Sequence, residues 1–405
     1  MSRLEELIQQ LCPDGVEFKP LEEVFELKNG YTPSKAVPEY WVNGTIPWFR
    51  MEDIRQNGRI LSDSIQHITP EAVKGGRFFP ANSIILATTA TIGEHALIIA
   101  DSLANQQFTN LKIRKSLSNK MDMKFFFYYM FIIDEWCKKN VHNGGFASVD
   151  MDKLKKLEIP LPPIPVQEEI VRILDTFTES TNNLKEQIQT RRKQYEYYRD
   201  QLLSLEGKEG YNIIPMKDLG TLTRGKRFVR DDVRETGQPC IHYGDLYTHY
   251  GIIADKAKTY LDRDFPKKMR YAKKGDVVIV GAGENDWDIG IGMVWNGEEP
   301  AVVHDACYIL QHQMNSKYIS YYLRSACYHL QIKKYVSTGK ICSISAEGIG
   351  KALISVPSLA EQQRIVDILD QFEASIANLE AQLKQREKQY EYYRNLLLDF
   401  KMKKS

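Results

Sequence analysis

Several short strings in the sequence have the residue types of a catalytic site. Gly281-Ala-Gly283 could open a dinucleotide-binding turn, where glycines let a pyrophosphate approach a helix N-terminus. Asp286 stands where the third glycine belongs and Trp287 follows with no helix start, so that chemistry is not expected. Pro13-Asp-Gly-Val-Glu-Phe-Lys19 imitates the carboxylate string of a metal-dependent nuclease. Those carboxylates must converge on one cation from different turns of a sheet. Asp14 and Glu17 are too close along the chain for that, and a Pro-Asp-Gly turn is the plainer reading. His304-Asp305 beside Cys307 has the types of a nucleophile cluster, yet it follows the apolar Ala301-Val-Val303 and reads as a polar strand end. A turn that holds a flipped base needs a polar residue before Pro-Pro and an aromatic after it. Leu161-Pro-Pro-Ile164 has neither. No G-x-x-x-x-G-K-[ST] loop occurs, and the eight histidines show no metal-ligand spacing. No active site and no metal site are expected.

Composition narrows the class further. A chain of 405 residues implies roughly two or three domains. With 43% hydrophobic and 26% charged residues it is an ordinary globular sequence, neither disordered nor a rod throughout. Lys plus Arg number 54 against 53 Asp plus Glu, a net charge of +1, which excludes a histone-like binder but not a local basic patch. The six cysteines form no C-x-x-C pair and suit buried thiols in a reducing compartment. Acidic residues follow Met1 where a secretory signal would be cationic, and the densest apolar run, 125–133, is far short of the roughly 20 residues a membrane span needs. A cytoplasmic location without membrane contact is expected.

The elements that position any site come in duplicate. Lys193-Gln-Tyr-Glu-Tyr-Tyr-Arg199 returns as Lys388-Gln-Tyr-Glu-Tyr-Tyr-Arg394, an offset of 195. Over 167–203 and 362–398, 21 of 37 positions are identical. At about the same spacing Gly30 matches Gly225, the stretch from Pro47 to Asp53 matches Pro239 to Asp245, and Ser148 and Pro162 match Ser343 and Pro357. Each half is a divergent domain followed by a near-constant helix.

Period defines those helices. Ile170, Leu174, Phe177, Thr181, Leu184, Ile188, Arg191, Tyr195, Tyr198, Leu202 and Leu205 alternate spacings of four and three. Ile365, Leu369, Phe372, Ile376, Leu379, Leu383, Arg386, Tyr390, Tyr393, Leu397 and Phe400 do the same. Five heptads of this kind make a coiled-coil seam, about 60 Å long, and each helix is the natural partner of the other. Polar Thr181, Arg191 and Arg386 in the seam cost stability and can fix register. The Pro-rich run 160–165 is a stiff lead-in, and 206–210 is a helix breaker. Apolar runs 83–89 and 276–281 read as buried strands, and 123–139 and 316–335 as matched helices. Within the first of these, Phe126 to Phe131 reads as core. The expected fold is α+β. Two mixed α/β domains are separated by a long antiparallel two-helix coiled coil, with internal pseudo-two-fold symmetry.

A duplicated chain of this kind can place unlike modules on two half-sites of duplex DNA. The sequence resembles the specificity subunits of type I restriction–modification systems. The resemblance rests on Gln167-Glu-Glu-Ile-Val-Arg-Ile-Leu-Asp175 and Gln362-Gln-Arg-Ile-Val-Asp-Ile-Leu-Asp370, on the stretch Leu11 to Leu21, on the Pro-rich lead-in and on the Tyr-Glu-Tyr-Tyr-Arg ends. It spans essentially the whole chain. It implies an N-terminal segment 1–20, target-recognition domains 21–160 and 208–357, and conserved spacer helices 161–207 and 358–405. It further implies a non-catalytic reader of a bipartite, asymmetric double-stranded DNA site. Its partners are two methyltransferase subunits using S-adenosylmethionine, with or without two restriction subunits using ATP and Mg, and the chain itself carries no cofactor.

Lys and Arg serve phosphates, and Arg, Asn, Gln, Ser and Thr read bases. The DNA-contact candidates in the first domain are therefore Lys28, Lys35, Arg50, Arg77, Thr88, Thr91 and Gln106. In the second they are Arg224, Lys226, Arg227 and Arg230 of the basic loop, with His242, Tyr243 and Lys340. Residues 211–357 carry 20 basic and 16 acidic side chains, a modest excess. Subunit-interface candidates on the spacer helices are Ile170, Leu174, Phe177, Leu184, Ile188, Tyr195 and Tyr198, and Ile365, Leu369, Phe372, Leu379, Leu383, Tyr390 and Tyr393. A protein scaffold without nucleic acid and a stand-alone DNA-modifying enzyme are the competing readings.

Overall fold

The structure, a computed structural model, describes residues 2–142, 147–207, 210–264 and 268–403. Residues 208 and 209 of the expected breaker lie outside the described residues. The chain forms two compact units, Met1–Asn183 with Leu383–Ser405, and Leu184–Gln382. Among the described residues no helix is long and apolar enough to cross a membrane.

In the first unit a five-stranded sheet runs in the order Phe25–Asn29, Phe108–Ile113, Ser83–Ala87, His95–Ile98, Ile60–Leu61. Every pair is antiparallel except the last. Ser83–Ala87 is buried at every position, which is why it reads as an unbroken apolar run. It stops two residues earlier than expected, because the Ala87 backbone exchanges hydrogen bonds with Glu94 and Gly93 and closes a turn. Met123–Lys139 has the bounds its sequence predicts, N-capped by Asp122, whose side chain accepts from Lys124 N. Phe125, Phe126 and Phe127 are buried in the core, each burial stabilising by about 1.5–3 kcal/mol. Ile46–Phe49 pairs with His67–Ile68 and Leu103–Ala104 in a smaller sheet. The segment 1–20 is part of this unit. Glu17–Pro20 pairs with Glu158–Leu161, and Val16 hydrogen-bonds Lys401 and Lys403. Asp14 and Glu17 are exposed and do not converge, and Glu17 pairs with Lys19 at 3.3 Å.

The second unit repeats this topology. Gly220–Arg224, Cys307–His312, Val277–Val280, Gly292–Trp295 and Ile253–Ala254 form the matching sheet in the matching order, again with only the last pair parallel. Its second sheet has five strands, with Gln238–Ile241 between Thr259–Leu261 and Ala301–Val303. The helix expected over 316–335 is broken into Ser316–Tyr322 and Ala326–Ile332. Ser325 causes the break, its hydroxyl donating to Tyr322 O and accepting from Tyr328 N to cap the second piece. All six cysteines are free, and Cys307 is wholly buried in its strand with its thiol pushed up by burial.

The two long helices are Ile164–Leu203 and Leu359–Leu397. Residues 161 and 160 of the Pro-rich run belong to the strand Glu158–Leu161, so the lead-in is shorter than expected. The seam does not continue to Leu205. The helix ends at Leu203, which is buried in the second unit's core while Leu202 is only half-buried. In the first unit Leu398 is buried likewise, just past the end of Leu359–Leu397.

Candidate nucleic-acid interface

In the first unit Ile46–Phe49 delivers two side chains to a surface cleft. Trp48 is fixed by an Nε1–H bond to Tyr31 O (3.1 Å) and by edge-to-face contact with Trp41 (5.0 Å). Arg50, the next outward residue, is the N-cap of Met51–Asn57, and its backbone N donates to the buried Asp53 carboxylate (2.7 Å). Its guanidinium lies over the Trp48 ring, 5.6 Å from the centroid. Across the cleft, Gly30 packs so tightly that a Cβ would stand 2.2 Å from Asn105 O. That contact sets Thr32 beside Gln106, whose Oε1 accepts from the Thr32 hydroxyl (2.6 Å). Lys35, Arg50 and Gln106 thus meet in one cleft, together with Thr32, Trp41 and Gln66.

The other candidates of this unit go elsewhere. Lys28 donates to Arg77 O and covers the Phe79 ring, and burial followed by the Arg77 charge lowers its affinity for a proton. Arg77 is exposed and Thr91 half-buried in its turn. Thr88 is 7% exposed, one residue past the buried strand Ser83–Ala87, and its hydroxyl pairs with Thr109 (3.1 Å), so it is packed inside the unit and is not in the cleft.

The equivalent surface of the second unit has different chemistry. A Cβ on Gly225 would stand 2.1 Å from His304 O, so the basic loop is pressed onto residues 303–304 as Gly30 is onto 104–105. His242 takes the place of Arg50, at the end of Gln238–Ile241 and as N-cap of Tyr243–Thr248. Its ring lies 4.3 Å from Tyr243 and 4.7 Å from His304, and Phe228 meets His304 edge-on at 4.9 Å. Burial lowers the proton affinity of both imidazoles, and for His304 the neighbouring His242 adds to the effect. Arg227 and Arg230 are exposed and Lys226 is half-buried. Arg224 is exposed but its Nε is spent on Asp305 O (2.7 Å). Lys340 is exposed on the turn closed by Ser337 and Ser343. The cation therefore moves from the strand end in one unit to the glycine loop in the other. Trp41, Gln66, Asn105 and Phe228 complete these surfaces and were not singled out from sequence, and His304, read there as a polar strand end, joins them. The Gly30–Gly225 equivalence pointed to the loops, but their partners at 104–105 and 303–304 meet them only through tertiary packing.

The long helices are attached by one clamp made twice. In the first unit Asp175 accepts from Lys124 Nζ and Tyr128 Oη, both at 2.6 Å. In the second, Asp370 accepts from Lys317 Nζ and Tyr321 Oη, again at 2.6 Å. Burial first, and the carboxylate next, push both phenols far up, so they stay donors. Gln167 joins Pro162 O to Asp122 N, and Gln362 joins Pro357 O to Asn315 N. The seam is also duplicated. Phe177 stacks on Tyr393 at 5.5 Å under Arg386, and Phe372 stacks on Tyr198 at 5.5 Å under Arg191. Within the second unit Arg192 pairs with Glu380 and Tyr195 with Glu373, so the two helix segments there run antiparallel. Ile170, Leu174, Ile188, Ile365 and Leu369 are buried, Leu184, Leu379, Leu383, Tyr195 and Tyr390 half-buried, and Tyr198 and Tyr393 exposed.

The sequence pattern described as "Type I restriction modification DNA specificity domain" matches residues 13–191 and again 208–388, with starts separated by the repeat offset of 195. The chain belongs to this specificity family. The specificity subunit of the type I restriction enzyme EcoprrI from Escherichia coli is 38% identical over 92% of this chain and 91% of its own length. A putative type I specificity subunit from Haemophilus influenzae is 29% identical over 95% and 96%. A solved chain from a study of type I restriction–modification complex assembly covers 96% of this chain and 97% of its own, with 18% identity and a TM-score of 0.63. That likeness is one of fold. The family reads DNA as part of a multisubunit complex and is not its catalyst.

Proposed function

We propose that this chain is the double-stranded-DNA-reading subunit of a type I restriction–modification complex working in the cytoplasm. Recognition domains 21–160 and 208–357 each read one half of a bipartite, asymmetric site. Spacer helices 161–207 and 358–405 hold the spacing and dock two methyltransferase subunits, with two restriction subunits where the system has them. S-adenosylmethionine, and ATP with Mg, act in those partners. The observation that carries this reading is one topology made twice, with Arg50, Gln106 and Thr32 at a cleft in one copy and His242, His304 and Arg227 at its equivalent in the other. Repeated shape with altered donors and acceptors is what an asymmetric pair of half-sites requires.

The test is DNA binding by the full chain joined to its methyltransferase subunits, across a salt series. Sequence-specific binding that weakens steeply with salt is expected, because phosphate contacts release counterions. Binding that ignored salt would favour the scaffold reading. Methylation of DNA by the purified chain alone with S-adenosylmethionine would favour the enzyme reading.

A further inference from the structure

Arg50 is held in a manner its own unit does not explain. Among the described residues its guanidinium makes no hydrogen bond, and its Nε is buried with no partner. The nearest carboxylate, Glu52, is 3.9 Å from that nitrogen. A buried donor left unpaired costs free energy and calls for an explanation. The side chain is nevertheless positioned, by the Trp48 ring beneath it and by the Asp53 bond to its backbone. Such a fork is ordered in advance of its ligand. Beside it the Gln106 carbonyl accepts from the Thr32 hydroxyl, and among the described residues its amide hydrogens make no hydrogen bond. Lys35 adds another donor. The cleft therefore offers donors, and the Arg50 fork offers two side by side.

In the major groove guanine presents two adjacent acceptors, N7 and O6, whereas adenine presents an acceptor beside a donor. We propose that Arg50 is a specificity-determining residue that reads a guanine in the half-site bound by the first unit. The inference rests on the DNA-reading function proposed above and assigns a base class to one position of it. The second unit supplies the contrast. His242 stands at the equivalent strand end, but its Nδ1 accepts from Gly244 N (3.3 Å), which leaves the neutral ring a single donor, Nε2–H. One donor cannot select two acceptors, so guanine is not specified by this residue in the other half-site.

The experiment uses the full chain assembled with its methyltransferase subunits and a panel of duplexes in which each base pair of the recognised site is changed in turn. Arg50→Lys and Arg50→Ala are expected to lose about 10- to 100-fold discrimination at one G·C pair of one half-site. Discrimination elsewhere and the slope of affinity against salt should be unchanged. His242→Ala should leave that G·C step intact. Uniform weakening across all duplexes with a salt slope reduced by about one would make Arg50 a phosphate contact and overturn the assignment. Loss at both half-sites, in the lysine variant as well as the alanine variant, would overturn it as a merely structural role. A wild-type complex with no base preference at all would instead overturn the DNA-reading function beneath it.

Discussion

Asp175 and Asp370 show how much one side chain can organise. Each takes two hydrogen bonds, from a lysine and a tyrosine one turn apart on its unit's core helix. These carboxylates are more than a third exposed, so solvent screens them and the hydrogen bonds matter more than the charge. Asp175→Ala and Asp370→Ala should each cost about 1–2 kcal/mol, read as a lower denaturant midpoint with unchanged slope. A midpoint that did not move would mean the clamp holds nothing. Histidines make a second prediction. Burial keeps His242, His304, His312 and His329 of the second unit below the ordinary imidazole value. The unfolded chain then takes up protons first as pH falls, so stability rises with pH in the window below about 6.5. Glu373, raised by burial, acts in the opposite sense in the window above the ordinary carboxylate value, but as one group against four. Melting temperature should drop between about pH 7.5 and about pH 5.5, less so in His304→Gln; an equal drop in that variant would remove His304 from the account. Sequence showed these residues unevenly. Arg50, Lys35 and Gln106, chosen by type, meet in one cleft, whereas Thr88, chosen the same way, is buried just past Ser83–Ala87, a strand whose burial at every position gives no alternation to tell outward from inward. The clamp was half visible, since Asp175 and Asp370 recur at the repeat offset but their partners are found only by folding.

Among elements, period and caps account for what was legible. Asp122 and a long apolar run define Met123–Lys139 to the residue, whereas Ser325 offered its hydroxyl as a cap in the middle of a run that otherwise reads as helix. The spacer seam was plain from its spacings of four and three. Its polar members were not understood from sequence. Arg191 and Arg386 are tolerated because each lies over a phenylalanine of the other helix, a cation–π contact that is worth about 0.5–1 kcal/mol when exposed. The seam is thus specific in phase, as each phenylalanine needs its own tyrosine and arginine. Inserting four residues after Leu184 shifts the phase of everything that follows. Such a variant should lose recognition at the original spacing or take sites with a different spacer, scored by methylation mapping with the methyltransferase subunits. Full methylation of the original site would show that helix phase does not set the spacing.

For the molecule as a whole, what repeats and what varies separate along physical lines. Sheet order, the buried strands, the glycines at 30 and 225, the two clamps and the phenylalanine stacks recur because they are demands of packing. The residues that differ sit at the strand end, on the glycine loop and on the segment that loop packs against. Arg50 gives way to His242, Asn105 to His304 and Thr32 to Arg227, while the backbone that presents them is unchanged in kind. Recognition can then change within one fold, provided the clamp and seam are left alone. Replacing residues 21–160 by the same segment of another family member tests this directly, because the graft brings its own lysine and tyrosine to a clamp whose acceptor, Asp175, stays behind. The hybrid, assembled with the methyltransferase subunits, should methylate a site with one half exchanged and the other half and the spacer retained. A change in both halves would mean that the two recognition surfaces are read together, and the division of labour between packing residues and cleft residues would not hold.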